Sequence, residues 1–183
     1  TGSSFDISAY TLTLSGGGDF QSGGLDLNNA NSKLLLNSIT VDNVSTTSDS
    51  LGLDVDADST VTSLSVANIT PVAIASGSSL SGAITVTAGS LKLAEQGTLA
   101  STISMSGGTL AAEKSLTVSG TLTHTGNITI DVADTKTLTY TGTAISLGAN
   151  TLTLTGGGSL VSGGLTLNDA SSKLLLNSIM VDS

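Results

Sequence analysis

Residues 9–42 read AYTLTLSGGGDFQSGGLDLNNANSKLLLNSITVD, and residues 149–182 read ANTLTLTGGGSLVSGGLTLNDASSKLLLNSIMVD. The two segments align without a gap, position 9 with position 149 and so on to the end. Across 1–43 and 141–183, 27 of the 43 aligned positions are identical. Such self-similarity is the signature of a repeat architecture. Residues 1–140 are therefore predicted to be one full tandem unit and 141–183 the start of the next copy, within a longer chain that holds more copies.

Inside the unit, short runs alternate apolar and polar residues. A period of two is the pattern of a half-buried β-strand, and the Gly, Asn, Ser and Asp residues between the runs are turn formers. Among these runs are TLTLS at 11–15, LDLN at 25–28, LGLDVD at 51–56, ITVT at 84–87 and ITIDV at 128–132. The nearest helical window, around 93–114, is broken by Gly97, Gly107 and Gly108. An all-β fold with almost no α-helix is predicted.

Many short strands are compatible with a sandwich or barrel, but three features favour a parallel β-helix, or β-solenoid. No proline-rich linker separates the two copies, the strands are very short, and bulky aromatic residues are scarce. The aromatic residues are Phe5, Tyr10, Phe20 and Tyr140. We expect coils of about 20 to 28 residues, about 6 to 9 of them, each strand pairing in parallel with its equivalent about 4.8 Å away. The stretch 43–83 is the least regular, and Pro71 is expected at a turn or bulge.

Composition and charge exclude several classes of partner. The chain is 38% hydrophobic and 10% charged, against about 25% charged residues in average domains, and such a chain is expected to fold. Its net charge is −9, with five lysines and no arginine, so neither nucleic acid nor an anionic membrane surface is an expected partner. Cysteine is absent, which excludes disulfides and thiolate metal sites. No long apolar run predicts membrane insertion of this segment.

The segment DVDADST supplies weak metal-site candidates, because Asp54, Asp56 and Asp58 have the spacing of a calcium loop. An EF-hand loop also needs Gly at its sixth position and Glu at its twelfth. Those positions here are Ser59 and Ser65. The favoured interpretation is that the aspartates line an outer strand face, so no cofactor is expected and calcium is the alternative.

The segment GGGDFQSGGLDL is similar to the glycine-aspartate repeats that bind calcium in parallel β-rolls. The second copy tests this within the chain, since Asp19 is matched by Ser159 and Asp26 by Thr166 while the glycines remain. Lost ligands and retained glycines indicate turns with positive φ instead of a metal site.

No catalytic residue is predicted. His124, the only histidine, is expected to face solvent without the partner and cleft that a general base needs. A polysaccharide lyase or hydrolase is the strongest enzymatic alternative. A glycosidase needs paired carboxylates in a groove. The scarcity of aromatic residues and the absence of arginine leave no platform for a sugar ring. Thr-x-Thr pairs raise ice binding as a further alternative, although they recur irregularly and Asp and Lys interrupt them, so exposed strand threonine is the favoured explanation. The pairs are Thr11/Thr13, Thr85/Thr87, Thr121/Thr123, Thr137/Thr139 and Thr151/Thr153.

Stretches such as GSLKLAEQGTL, GGTLAAEKSLTVSGTL and TLTLTGGGSLVSGGLTLN resemble the repeats of autotransporter passengers and filamentous-haemagglutinin-like adhesins. The resemblance implies a right-handed parallel β-helix within a large repetitive protein on the bacterial cell surface. The expected function is a non-catalytic structural or adhesive rod. Its partners would be neighbouring repeat units, or host, cell or matrix surfaces. The alternatives are an extracellular filament of copies stacked end to end, and a module that binds calcium, ice or glycan.

Overall fold

The computed structural model describes residues 4–182, which form β-strands and no helix. The strands in chain order are β1 (Phe5–Asp6), β2 (Thr11–Ser15), β3 (Asp19–Phe20), β4 (Leu25–Leu27), β5 (Lys33–Asn37), β6 (Thr40–Thr46), β7 (Gly52–Val55), β8 (Ser59–Val66), β9 (Ile69–Ile74), β10 (Ser79–Val86), β11 (Ser90–Leu93), β12 (Thr98–Leu99), β13 (Thr102–Met105), β14 (Thr109–Ala112), β15 (Leu116–Val118), β16 (Leu122–His124), β17 (Ile128–Val132), β18 (Thr137–Tyr140), β19 (Ile145–Ser146), β20 (Thr151–Gly156), β21 (Ser159–Ser162), β22 (Leu165–Thr166), β23 (Lys173–Asn177) and β24 (Met180–Asp182).

The strands form three parallel sheets, as expected for a solenoid. Sheet 1 has nine strands in the order β2-β5-β7-β9-β11-β14-β17-β20-β23. Sheet 2 has 13 strands along the path β1-β4-β6-β8-β10-β12-β15-β18-β21-β24, with β3 beside β6, β13 beside β10 and β16 beside β13. Sheet 3 is the pair β19-β22. Every pairing between the described strands is parallel. The predicted all-β solenoid is confirmed, while its right-handedness stays a prediction.

Each coil contributes one strand to sheet 1, so its nine strands correspond to nine coils. At about 4.8 Å between neighbouring strands, nine coils stack to a height of about 40 Å. The advance per coil along sheet 1 is equally short where Lys33 pairs with Gly52, Leu53 with Val72 and Ser90 with Thr109, and it is longest where Ile128 pairs with Leu152. The shortest coils are slightly tighter than the predicted lower limit, because some of their corners are short, such as residues 38–39 between β5 and β6.

A coil has three straight segments, which we call walls. Sheet 1 is the first wall. Sheet 2 supplies the other two, because its long strands β6, β8 and β10 run along both of them, and β6 and β10 each pair with two short strands, as β10 does with β12 and β13. The bend in β10 coincides with a register shift between Gly82 and Ala83. The chain therefore turns three corners per coil, and most corner residues are small or polar.

Aliphatic ladders fill the space between the walls. One ladder crosses sheet 1 at the paired, fully buried residues Leu34, Leu53, Val72, Leu93, Ala112 and Val132. Burying a Leu or Val side chain stabilises the fold by roughly 1.5–3 kcal/mol, and each coil repeats that contribution several times. One aromatic residue departs from the expectation of a purely aliphatic core. Tyr140 is buried, and its hydroxyl accepts a hydrogen bond from the Leu122 amide at 2.9 Å.

The expectation that Pro71 sits at a turn or bulge is wrong, because it lies inside β9 in the middle of sheet 1. The Pro71 carbonyl faces Gly52, so the proline nitrogen, which lacks a hydrogen, faces the same side. Gly52 begins β7, and paired residues between β7 and β9 start one position later, at Leu53 and Val72. The missing N–H of Pro71 therefore removes no hydrogen bond from the ladder between β7 and β9. The stretch 43–83 is also regular, since it holds the eight-residue strand β8 and the first half of the equally long β10.

The two copies of the repeated sequence adopt the same backbone. The pairing of Thr11 with Lys33 between β2 and β5 recurs as the pairing of Thr151 with Lys173 between β20 and β23. Ser38 and Ser178 both have φ of 53°, and Gly24 and Gly164 have φ of 125° and 127°. In sheet 1, β20 lies seven strands beyond β2. One period of the repeated sequence thus corresponds to seven coils.

Candidate functional site

The three aspartates of the calcium-loop pattern do not come together as one metal site. Asp54 is on the outer side of sheet 1, where Lys33 Nζ is 2.6 Å from its Oδ2 atom. Asp58 precedes β8 and accepts hydrogen bonds from the backbone amide and hydroxyl of Ser79 at 2.8 and 3.0 Å. Asp56 lies at the corner between them and shares with Asp54 a shallow groove of about 370 Å³ that also borders Glu95. Within residues 4–182, no three His, Asp or Glu side chains are placed to hold a metal ion together.

The glycine-aspartate motif forms turns, and one of its aspartates makes hydrogen bonds to the neighbouring coil. Gly16 and Gly156 have φ of 117° and 106°, which agrees with the prediction that these glycines supply positive φ. Asp26 accepts hydrogen bonds from Ser45 and Thr47 of the next coil, at 3.1 and 2.9 Å. The Asp26 carboxylate therefore joins neighbouring coils.

The Asp6 carboxylate, in the first coil, also accepts several hydrogen bonds. The Asn28 side chain donates to it, and so do the backbone amide and hydroxyl of Ser8, at 2.6 and 3.0 Å. These bonds, the one from Asn28 most strongly, lower the pKa of the exposed Asp6 carboxyl below its ordinary value of 3.8.

The expectation that His124 faces solvent is wrong. Residues two apart on a strand point to the same side, so His124 shares the inward side of Leu122. It pairs in register with the buried Met105. Its Nδ1 lies 3.0 Å from the Gly126 carbonyl oxygen, and its Nε2 is buried without a hydrogen-bond partner.

His124 borders a cleft of about 360 Å³ where the third wall is interrupted. Strand β16 belongs to sheet 2 and β19 to sheet 3, so no backbone ladder joins them. The coil between Ile128 and Leu152 is the longest along sheet 1. The Tyr140 hydroxyl compensates, because it takes the bond from the Leu122 amide that a neighbouring strand would otherwise accept. The cleft is lined by Leu122, Thr123, His124, Thr143, Ala144, Ser146 and Gly148.

The Thr-x-Thr pairs are distributed over all three walls. The pairs at 11 and 151 face outward from sheet 1, and the pair at 137 faces outward from the second wall. The pairs Thr85/Thr87 and Thr121/Thr123 lie on the third wall, formed by the C-terminal halves of β6, β8 and β10 and by β13 and β16. There they belong to a larger array.

We call this array the hydroxyl wall. It contains three ranks of outward residues over five successive coils, and twelve of the fifteen side chains are Ser or Thr. The ranks are Asn43, Ser63, Ala83, Thr102 and Thr121; Ser45, Ser65, Thr85, Ser104 and Thr123; and Thr47, Ala67, Thr87, Ser106 and Thr125. None of the fifteen is charged. The irregularity seen in the sequence disappears because Ser fills positions between the Thr pairs, and because successive coils along this wall differ little in length.

The hydroxyl wall is rigidly backed and leaves most of its polar groups free. Behind it lie two inward ranks of mainly buried apolar side chains, among them Val44, Leu64, Ile84 and Ile103. Eight of its hydroxyls make no hydrogen bond within the described chain, and they belong to Ser63, Ser65, Thr85, Thr102, Ser104, Ser106, Thr121 and Thr125. These groups remain available to a molecule outside.

Comparison with protein-family models, with curated proteins and with solved structures finds no match for the chain. In the part of the chain that the structure describes, no helix has the length and apolarity needed to cross a bilayer.

Proposed function

We propose that the chain is a non-catalytic structural and adhesive rod segment of a long, repetitive, extracellular protein of the bacterial surface. The observation that carries the proposal is the unbroken nine-stranded ladder of sheet 1, which runs the full height of the described chain over one continuous apolar core. A molecule built this way resists bending, because every coil is hydrogen-bonded to the next along a whole wall.

The repeat supports extension of this ladder beyond one unit. Residues 33–42 and 173–182 have nearly the same sequence, and the former are covered by β7 and β8 of the next coil. A following copy of 43–66 would meet β23 and β24 in that same register. Lys173 would then face the counterpart of Asp54, as Lys33 does.

The surface role rests on the resemblance of the repeated segments to autotransporter and haemagglutinin-like adhesins. Neighbouring repeat units are the partners along the axis, and host, cell or matrix surfaces are the proposed lateral partners. No cofactor is required for either role, because the core and the backbone ladders supply the stiffness.

Small-angle X-ray scattering tests the rod directly. A chain in which residues 43–182 follow residue 182 without a linker should be longer by seven coils, or about 34 Å, with an unchanged cross-section. A matched control joins the same two parts through a flexible Gly/Ser linker and should scatter as two hinged bodies. The proposal fails if the linker-free chain scatters like this control.

Denaturing electrophoresis of the native material addresses the alternative of separate chains stacked end to end. A single very large band is expected for one continuous rod, and a band of about one repeat unit would instead establish stacked subunits.

A further inference from the structure

We propose that the hydroxyl wall binds ice, the hydrogen-bonded lattice of frozen water. This inference goes beyond the rod and is independent of it. It starts from the chemistry of the wall, in which a Ser or Thr hydroxyl both donates and accepts hydrogen bonds, as a water molecule does. Twelve of the fifteen positions carry this group, and none carries a charge that would orient water around itself instead.

The spacing of the hydroxyls also fits a crystalline partner. Neighbouring hydroxyls lie about 4.8 Å apart along the solenoid axis, set by the parallel ladder, and about 6.6 Å apart along each strand. Five coils keep this register from β6 to β16. A two-dimensional grid with fixed repeats suits a crystalline partner, whose own groups recur at fixed distances, better than a single soluble molecule.

The hydroxyl array is also organised before binding. Five of the eight free hydroxyls lie within strands β8, β10 and β13 and the other three directly flank β13 or β16, and the opposite sides of these strands are buried, so few backbone motions are lost when a lattice forms against them. Threonine also has few χ1 rotamers, which limits the side-chain entropy lost at Thr85, Thr102, Thr121 and Thr125. Individually weak hydrogen bonds then act together over several coils.

A neutral crystalline polysaccharide is the competing occupant. Recognition of sugar rings commonly uses aromatic side chains as flat platforms, and the hydroxyl wall has none. The exposed aromatic residues, Phe5 and Tyr10, lie in the first coil. Apart from the Asn43 amide at one end, the wall offers only hydroxyl and methyl groups, so ice is the occupant that its chemistry fits.

To test the proposal, ice is grown slowly from a dilute solution of the full chain. The fraction of protein taken up by the ice is measured, and the shape of the ice crystals is recorded by microscopy. The chain should enter the ice and produce faceted crystals. Thr85→Lys, at the centre of the wall, should abolish both effects, and Ser104→Lys should do the same. The matched control Thr153→Lys, on the outer side of sheet 1, should behave like the unmodified chain. Circular dichroism and melting verify that each variant is folded.

Exclusion of the unmodified chain from ice overturns the proposal. Equal uptake of a folded Thr85→Lys variant also overturns it, and so does equal loss in the Thr153→Lys control. Binding of the chain to crystalline cellulose or chitin, without uptake into ice, assigns the wall to glycan instead.

Discussion

Replacing Gly52 with alanine tests the packing of one coil on the next. Gly52 has φ of +80°, and a Cβ atom added there would lie 1.8 Å from the Pro71 carbonyl oxygen and 2.7 Å from its carbonyl carbon. Both atoms are backbone, so no side-chain rotation can relieve the contact. The neighbouring strand β9 would have to move by more than an ångström.

Two effects combine in the expected loss of stability. A non-glycine residue at positive φ costs about 1–2 kcal/mol. Overpacking that displaces backbone adds about 1–3 kcal/mol. Gly77→Ala isolates the conformational cost from the steric cost. Gly77 has nearly the same φ, +85°, but nothing lies within 4 Å of an added Cβ atom there. Gly52→Ala should therefore destabilise the chain by about 2–5 kcal/mol, and Gly77→Ala by no more than about 2 kcal/mol.

Urea unfolding monitored by circular dichroism measures the free energy of unfolding of both variants. Hydrogen exchange of the β7 and β9 amides locates the damage, which matters because repeat proteins can unfold in parts. Equal destabilisation by the two substitutions would show that β9 does not lie over Gly52 in this way, and the proposed coil register would be wrong there.

Three further predictions concern single side chains. Leu93→Ala, in the ladder behind sheet 1, should lower the free energy of unfolding by about 2–5 kcal/mol in the same urea assay, and a loss below about 1 kcal/mol would contradict its burial. Tyr140→Phe should cost about 1–3 kcal/mol because the Leu122 amide loses its buried partner, and hydrogen exchange at that amide should accelerate. The pKa of Asp6 is lowered in the fold, so its stabilising effect is complete above the unfolded pKa and disappears as pH falls through the folded value; NMR titration should give a midpoint below 3.8 that rises in Asn28→Ala, and an unchanged midpoint would exclude the Asn28 bond as its cause.

The strands and their inward residues follow from local pattern. Runs such as TLTLS at 11–15 and ITIDV at 128–132 form strands of sheet 1, because alternation places every second side chain on one side. The same rule, applied correctly to Leu122 and His124, predicts that both point inward. The alternation therefore does not support the expectation that His124 faces solvent.

Pro71 and the hydroxyl wall were missed for another reason. Whether a proline breaks a ladder depends on which strand its nitrogen faces, and that strand, β7, belongs to the preceding coil. Whether Ser65, Thr85 and Ser104 form one rank depends on the advance of each coil. Small differences in corner length set that advance, and they leave only a weak trace in the sequence.

The sequence alone establishes a tandem repeat, an all-β chain and coils with short turns. These features depend on residues within a few positions of one another and on a segment that recurs at a constant spacing. The register of one coil against the next is decided by packing. A shift of two residues keeps the apolar side inward and costs little locally, so the alternation alone cannot choose among registers. The choice is made where corners such as Gly82 and buried groups such as Tyr140 fit only one arrangement, and that choice is what gathers scattered serines and threonines into one surface.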